Sequence, residues 1–323
     1  MVRLRSYGQM PEDAAWQQHH AARKRWELEQ ERVSDSVLEK YLEDIHFEDI
    51  DSYLQKECRR SGSVVDADHP ITKESFFILP SVQETESDLL SDAPRDDIAT
   101  HRAASRLIEL NPDRLRTTAR ELGILLNTWL LFVVCHEAVH DYSFTRVRGE
   151  REFHEIATVT NILKELFLFW KAPPERSMQV ISGYKKTESR YGGKSDDNIQ
   201  GGRMTTVKIL EILDEGVTDH VAFEMMENYL RLHPGALPRE EFEHLRTVFR
   251  NPKQKMGHAR AMALVDELID GLHQESRLDR TVVWGAIKRG KFGADNVHDP
   301  ETMALLKAAM PEPLMRKLLR HNG

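Results

Sequence analysis

The sequence predicts an α+β protein that is mainly helical and carries a small sheet. Apolar residues recur at helical spacing through residues 36–60, and they do so again along most of the chain after Tyr229. Two short runs, at residues 75–80 and 177–185, are bounded by turn-forming residues and are instead typical of strands. Because the helical stretches are longer and more numerous than the strand candidates, we expect the sheet to be the minor part of the fold.

Local signals place the predicted elements along the chain. Asn111 followed by Pro112 is a helix-start signal, and we expect one long helix from there through the apolar residues 122–135. A second motif-bearing helix is expected over residues 209–223, and another around residues 155–170. The remaining expectations are a helical segment at 36–60 ended by Ser61–Ser63, a strand at 75–80, an acidic loop at 84–97, helical turns at 98–110, a strand at 177–185, a glycine-rich loop at 191–202, and helices after Tyr229 with breaks near 233–235, 251–252 and 290–299.

Composition narrows the possible partners and compartment. A net charge of -8 gives no broad basic surface, so we expect no nucleic-acid partner. The charge-free apolar run at residues 122–135 is too short to span a bilayer, and residues 1–8 lead into no signal-peptide core, so we expect a cytoplasmic protein without a membrane partner. Only Cys58 and Cys135 are available, which argues against a disulfide framework.

The segment His136-Glu137-Ala138-Val139-His140 is an H-E-x-x-H motif. Residues four apart share one face of a helix, so His136 and His140 can both ligate a metal ion, at about 2.0–2.1 Å for zinc. Glu137 lies about 100° around the helix and can reach a metal-bound water without ligating the metal. The apolar run before the motif predicts a buried setting, in which these polar groups need partners or a metal.

A zinc site needs a third protein ligand and an open position for water. The metzincin continuation of the motif is absent, because Ser143 and Arg146 stand where that class has Gly and His. Two histidines and a carboxylate also suit non-haem iron, but the H-E-x-x-H spacing favours zinc. The third ligand must therefore come from elsewhere in the chain.

Glu215 and Asp219 lie four residues apart and share a face of the second predicted helix. The segment Glu215-Gly216-Val217-Thr218-Asp219, together with H-E-x-x-H, resembles the small E-G-x-T-D/E variety of the gluzincin metallopeptidases, the thermolysin-like clan. The resemblance implies a zincin-like catalytic domain that binds Zn²⁺ through His136, His140 and Glu215. It also implies that Asp219 orients one of the zinc-binding histidines, which fixes the tautomer of that ring.

The position of the third ligand departs from the best-known members of the clan. Glu215 lies 75 positions after His140, whereas thermolysin-like enzymes place this ligand roughly 20 residues after the second histidine. Glu155 and Glu165 lie near the shorter spacing, and Glu165, within the apolar run at 162–170, is the main rival. We favour Glu215 because only Glu215 brings a second acid one helical turn later.

The resemblance implies a zinc-dependent peptidase that acts on a peptide or protein substrate through a metal-bound water activated by Glu137. The residue that stabilises the oxyanion stays open among Tyr184, Tyr191, His220 and His258. Two alternatives also stay open: a gluzincin-like regulatory or binding protein with a single specific partner, and a helical interaction protein without a metal.

The expected organisation has three parts. Residues 1–70 form an N-terminal helical arm that is partly flexible, residues 71–230 form the zincin-like catalytic domain, and residues 231–323 form a C-terminal helical subdomain.

Overall fold

The computed structural model describes residues 2–3, 25, 29–30, 32–63, 70–79, 98–102, 107–143, 145–151, 176–191, 204–251 and 257–293. Within these residues the protein is mainly helical with a small sheet region, as the sequence predicts. The helices are α1 (Ser36–Glu43), α2 (Phe47–Arg60), α3 (Pro112–Leu122), α4 (Leu126–Tyr142), α5 (Glu211–Leu232), α6 (Arg239–Arg250), α7 (Gly257–Ser276) and α8 (Arg280–Phe292). The strands are β1 (Val2–Arg3), β2 (Phe76–Ile78), β3 (Ala99–Arg102), β4 (Leu107–Leu110), β5 (Thr145–Arg151), β6 (Arg176–Ser182), β7 (Lys185–Tyr191) and β8 (Met204–Ile209).

A three-stranded sheet has the order β2-β4-β3. Strand β4 pairs in parallel with β2 and antiparallel with β3, with Ile108 opposite both Phe76 and His101. The prediction of helical turns over residues 98–110 is therefore wrong. All four residues of β4 are buried, and a short, fully buried run carries no periodicity that separates a strand from a helix.

The second sheet is antiparallel throughout and has the order β1-β5-β6-β7-β8. The predicted strand at residues 177–185 is confirmed as β6, which turns at Gly183 into β7. Gly183 has a φ of 57°, a left-handed conformation that favours glycine. Val2 and Arg3 pair with β5 and form the first strand of this sheet.

The long helix expected from Asn111 onward is two helices. The start signal is correct, since the Asn111 side chain accepts a hydrogen bond from the backbone N–H of Arg114 and Pro112 occupies the first turn. The helix ends, however, at Gly123, which has a φ of 65°. A left-handed glycine is a common helix C-cap, so α3 stops there and α4 begins at a bend of 116°.

Helix α4 lies at the centre of the described structure. It contacts α2, α3, α5, α6 and strand β3, and nearly all of its residues are buried. This burial explains a sequence that is apolar on every side of the helix. Helix α5 runs beside α4 and contacts α7 closely on another side.

One hydrophobic core joins residues from Leu38 to Phe292. It includes side chains from each of the three predicted parts of the chain, 1–70, 71–230 and 231–323. The division into those parts stays a prediction.

No single helix in the described ranges is long and apolar enough to cross a membrane, although the bent pair α3 and α4 passes that test when its members are taken together. The predicted helix at 155–170, the acidic loop at 84–97 and most of the glycine-rich loop at 191–202 lie outside the described residues.

Candidate metal centre

Helices α4 and α5 bring three predicted metal ligands together. His136 and His140 lie one turn apart on α4, and Glu215 lies in the first half of α5. The two Nε2 atoms of the histidines are 3.1 Å apart. Glu215 Oε2 lies 3.3 Å from His136 Nε2 and 3.4 Å from His140 Nε2.

These separations fit a tetrahedral zinc site. Three donors bound to one zinc ion at about 2.1 Å, with tetrahedral angles, lie about 3.4 Å from one another. The observed separations of 3.1, 3.3 and 3.4 Å are close to this value. Two imidazole nitrogens and a carboxylate are also a donor set that zinc prefers.

Asp219 fixes the tautomer of His136. Its Oδ1 lies 2.9 Å from His136 Nδ1, and an ionised carboxylate can only accept hydrogen bonds. The proton of a neutral His136 ring is therefore on Nδ1, and the lone pair of Nε2 points toward His140 and Glu215. This is the arrangement in which an imidazole is ready to ligate a metal.

His258, on α7, is a second partner of Asp219. Its Nδ1 lies 3.0 Å from Asp219 Oδ2, and its ring centroid is 5.5 Å from that of His136. His136, Asp219 and His258 also form a group of donors close enough for a metal. Both Asp219 oxygens, however, already accept hydrogen bonds from imidazoles, so this group is satisfied without an ion.

Asp214 lies beside Nδ1 of His140, as Asp219 lies beside Nδ1 of His136. Its Oδ2 lies 3.5 Å from His140 Nδ1 and is a buried oxygen without a hydrogen-bond donor among the described residues. Its Oδ1 accepts hydrogen bonds from the Lys291 ammonium at 2.7 Å and from the Tyr184 backbone N–H at 2.8 Å.

Burial and charge together set the protonation of the three donors. Burial opposes a charge on His136, but its bonds to Asp219 and Glu215 raise the pKa of His136 well above its usual value. Burial likewise opposes the charge on Glu215, yet His140 and His136 lower the pKa of Glu215 well below its usual value. Burial, aided by the positive charges of Lys291 and His136, lowers the pKa of His140 despite the attraction of Glu215.

These pKa shifts indicate that a positive charge stabilises the group of three donors. A carboxylate held ionised faces two imidazole nitrogens at 3.3 and 3.4 Å. Without a metal, a proton on one imidazole ring provides the positive charge. A divalent ion would instead contact all three donors at once.

Glu137, the predicted general base, follows His136 on α4 and is 8% exposed. Its carboxylate accepts no hydrogen bond and forms no ion pair among the residues that the structure describes, although its charge helps to raise the pKa of His136.

The structure places three of the four candidates for the oxyanion donor in different surroundings. His258 lies beside the cluster, as described above. The buried Tyr184 hydroxyl donates to the Ile287 carbonyl at 2.8 Å, and His220 Nε2 lies 3.6 Å from Asp266, on the side of α5 that faces α7 and α8. The side chain of Tyr191 lies outside the described part of the chain.

His101 is a neighbour of the site that sequence reasoning missed. It lies on β3, its Nε2 is 3.1 Å from Asp141 Oδ1, and its ring centroid is 6.5 Å from that of His140. Lys291 and Asp214 were also missed. Only Asp214 had a sequence signal, since it directly precedes Glu215, whereas nothing near Lys291 connects that residue with the motif.

The rival ligand Glu165, like Glu155, lies outside the described residues. Cys135 is fully buried on α4, and burial raises the pKa of its thiol, which disfavours the thiolate that a metal requires.

Comparison of the chain with protein-family models, with curated proteins and with solved structures gives no significant match.

Proposed function

We propose that this protein is a zinc-dependent peptidase of the gluzincin type, with His136, His140 and Glu215 as the zinc ligands. The observation that carries the proposal is the meeting of the three donor atoms within 3.4 Å of one another. Glu215 is 75 positions from His140 in the sequence, so their meeting depends on how α4 packs against α5. The spacing fits one tetrahedral ion, and the ligand types fit zinc.

Glu137 is the proposed general base. When bound, zinc would act as a Lewis acid and lower the pKa of a coordinated water. Glu137 takes a proton from the attacking water as the oxygen of that water bonds to the peptide carbonyl carbon. It then delivers the proton to the leaving nitrogen as the carbon–nitrogen bond breaks. Glu137 directly follows His136 on α4, so its carboxylate starts from the residue next to a proposed zinc ligand.

Asp219 holds His136 in the tautomer that ligation requires, through the 2.9 Å bond at Nδ1. Among the three oxyanion candidates whose side chains the structure describes, His258 is the best placed, since it shares Asp219 with His136 and its side chain is about one-third exposed. Burial opposes a charge on His258, but the carboxylate of Asp219 raises its pKa and favours the protonated, hydrogen-bond-donating form.

Strand β3 offers a place for an extended substrate. It is the edge strand of its sheet as far as the structure describes it, it contacts α4, and it brings His101 beside His140. An extended peptide can add to such an edge through main-chain hydrogen bonds. A peptide bound there would lie next to the proposed metal site.

The two alternatives make different predictions. A helical interaction protein with an accidental motif gives no reason for Glu215 to meet both histidines or for Asp219 to bind His136. A gluzincin-like protein with a single partner would keep the metal but would not hydrolyse general peptides. The metal and turnover experiments below separate these three hypotheses.

The metal experiment measures zinc by elemental analysis in the purified wild-type chain and in Glu215→Ala. We expect the substitution to lose one equivalent of zinc per chain. Glu227→Ala is a matched control, because Glu227 lies on the same helix with half of its side chain exposed, and it should retain the wild-type zinc content. Equal zinc in wild type and Glu215→Ala would contradict the assigned ligand.

The turnover experiment compares zinc-loaded wild type, the chelated protein and Glu137→Gln on peptide mixtures analysed by mass spectrometry. We expect cleavage only by the zinc-loaded wild type, while Glu137→Gln keeps its zinc. Full turnover by Glu137→Gln would refute the general base. Zinc binding without cleavage of any peptide would favour the single-partner alternative.

A further inference from the structure

A second group of side chains that could hold a metal ion lies at the far end of α5. His46 directly precedes α2, Asp49 lies in the first turn of α2, and His233 directly follows α5. Asp49 Oδ2 is 2.7 Å from His233 Nε2. The rings of His46 and His233 stack with centroids 4.0 Å apart and planes 1° from parallel. One donor atom from each residue lies within 4.8 Å of the other two.

The backbone around this group is held firmly while its side chains remain accessible. The backbone N–H of His46 donates to the hydroxyl of Tyr229 at 3.2 Å, and Tyr229 is buried in the main core. The side chains of His46, Asp49 and His233 are 51%, 32% and 24% exposed. An ion from solvent can therefore reach donors whose main-chain positions are already set by packing.

Charge in this region favours a cation. Glu48 Oε1 lies 3.6 Å from His46 Nδ1, so a second carboxylate adjoins the three donors. Two imidazoles with one or two carboxylates form the donor set of borderline divalent ions such as Zn²⁺, Ni²⁺ and Cu²⁺. Hard ions such as Mg²⁺ and Ca²⁺ prefer sites made of oxygen donors.

We propose that His46, Asp49 and His233 form a second metal site, for a borderline divalent cation. It is separate from the His136 centre, since Glu215 and His233 are 18 positions apart and a helix rises 1.5 Å per residue, which places them about 27 Å apart along α5. The ion would join the corner between α1 and α2 to the end of α5.

Binding requires one rearrangement. The lone pairs of parallel imidazole rings point side by side, so an ion cannot lie in the planes of both rings while they are stacked. His46 is the ring that turns, because half of its side chain is exposed, whereas Asp49 already holds His233. The ion replaces the hydrogen bond between Asp49 and His233 with a bond to each of them, and the proton on His233 Nε2 transfers through solvent to Nδ1 of the same ring.

The test uses the 323-residue chain with the first site disabled by His140→Gln, so that the result does not depend on the proposed peptidase function. We titrate chelator-treated His140→Gln with Zn²⁺ by calorimetry, and with Cu²⁺ while recording electron paramagnetic resonance. We expect one equivalent of either ion to bind and two imidazole nitrogens to couple to Cu²⁺. We also expect Zn²⁺ to raise the melting temperature by several degrees, since an ion that binds only the folded chain stabilises it.

His140→Gln/His46→Ala and His140→Gln/His233→Gln should each weaken binding at least tenfold and abolish the rise in melting temperature. His140→Gln/His244→Ala is the matched control, because His244 is exposed and belongs to none of the donor groups found among the described residues. It should bind like His140→Gln. Unchanged affinity in the His46→Ala double variant, or no binding by His140→Gln itself, would overturn the second site.

Discussion

Lys291 and Asp214 form a completely buried ion pair next to the candidate metal centre. Lys291 Nζ lies 2.7 Å from Asp214 Oδ1, and both side chains have no exposure to solvent. The pair connects the last turns of α8 to the helix that carries Glu215. The turn between β6 and β7 closes over it, since a Cβ on Gly183 would lie 2.5 Å from Asp214 Oδ1 and 2.6 Å from Lys291 Cδ.

Lys291→Met should destabilise the protein strongly. The substitution keeps an apolar chain of similar length but leaves Asp214 without its cation, and an unpaired buried charge costs about 3–5 kcal/mol. Urea unfolding of the wild type and the variant measures the difference in free energy.

The double variant Lys291→Met/Asp214→Asn removes both charges and serves as the control. The amide oxygen that Asp214→Asn introduces would still accept the hydrogen bond from the Tyr184 backbone N–H, so we expect the double variant to recover part of the lost stability. A Lys291→Met variant as stable as the wild type would show that the pair is not holding these elements together.

Asp219→Asn should lower zinc affinity by about 10–100-fold, the range expected when a carboxylate that orients a ligating histidine is lost. The amide keeps the shape but loses the charge that fixes the proton on His136 Nδ1. Competition with a chromophoric chelator measures the zinc affinity. His258→Phe is the control, because it removes the other partner of Asp219 and should leave zinc affinity nearly unchanged. A similar loss in both variants would contradict the special relation between Asp219 and His136.

The part of the site that depends only on helical spacing can be predicted from the sequence. His136 and His140 are four residues apart, and so are Glu215 and Asp219, so each pair shares a helix face whatever the rest of the fold does. The contact between the two helices is not local, and only the resemblance to gluzincins implied it. The resemblance implies that Asp219 contacts one of the two histidines without saying which, and in the structure that histidine is His136.

The missed features depend on tertiary packing. Lys291 comes from a helix 77 positions after Asp214, and a buried lysine looks in sequence like any surface lysine. The strands β3 and β4 have four residues each, too few for a period of two to be recognised. Missing β3 as a strand also hid His101 as a neighbour of His140.

Glu57→Gln should make the protein less sensitive to acid. Glu57 is buried and lies 2.8 Å from Lys288 Nζ and 2.6 Å from an Arg60 nitrogen. Burial opposes its charge, but Lys288 and Arg60 outweigh that effect and lower the pKa of Glu57 below its usual 4.5. The Glu57 carboxylate therefore binds a proton less readily in the folded state than in the unfolded state. The stabilisation is present above pH 4.5 and is lost as the pH falls through the folded-state pKa.

Near neutral pH, Glu57→Gln should be less stable by about 1.5–3 kcal/mol, the usual contribution of hydrogen bonds to charged groups. The loss stays limited because Lys288 also pairs with Glu224 at 3.0 Å. Free energies of unfolding measured at about pH 6 and about pH 3.5 should differ less in the variant than in the wild type. The exposed Glu227→Gln should follow the wild type. A pH dependence equal to that of the wild type in Glu57→Gln would contradict the assignment.

Gly216→Ala should destabilise the protein and weaken zinc binding. Gly216 adjoins Glu215 on α5, where α7 approaches so closely that a Cβ would collide with the Ala261 carbonyl oxygen and lie 2.7 Å from Val265 Cγ2. Overpacking of this kind costs about 1–3 kcal/mol, and relief of the clash would move α5 and the Glu215 carboxylate with it. Gly271→Ala is the matched control, because Gly271 lies inside α7 with no atom within 4 Å of an added Cβ. Alanine there should stabilise the helix by about 0.5–1 kcal/mol. Thermal unfolding and zinc competition on both variants test this, and a Gly216→Ala protein as stable as Gly271→Ala would show that α5 and α7 do not meet so closely.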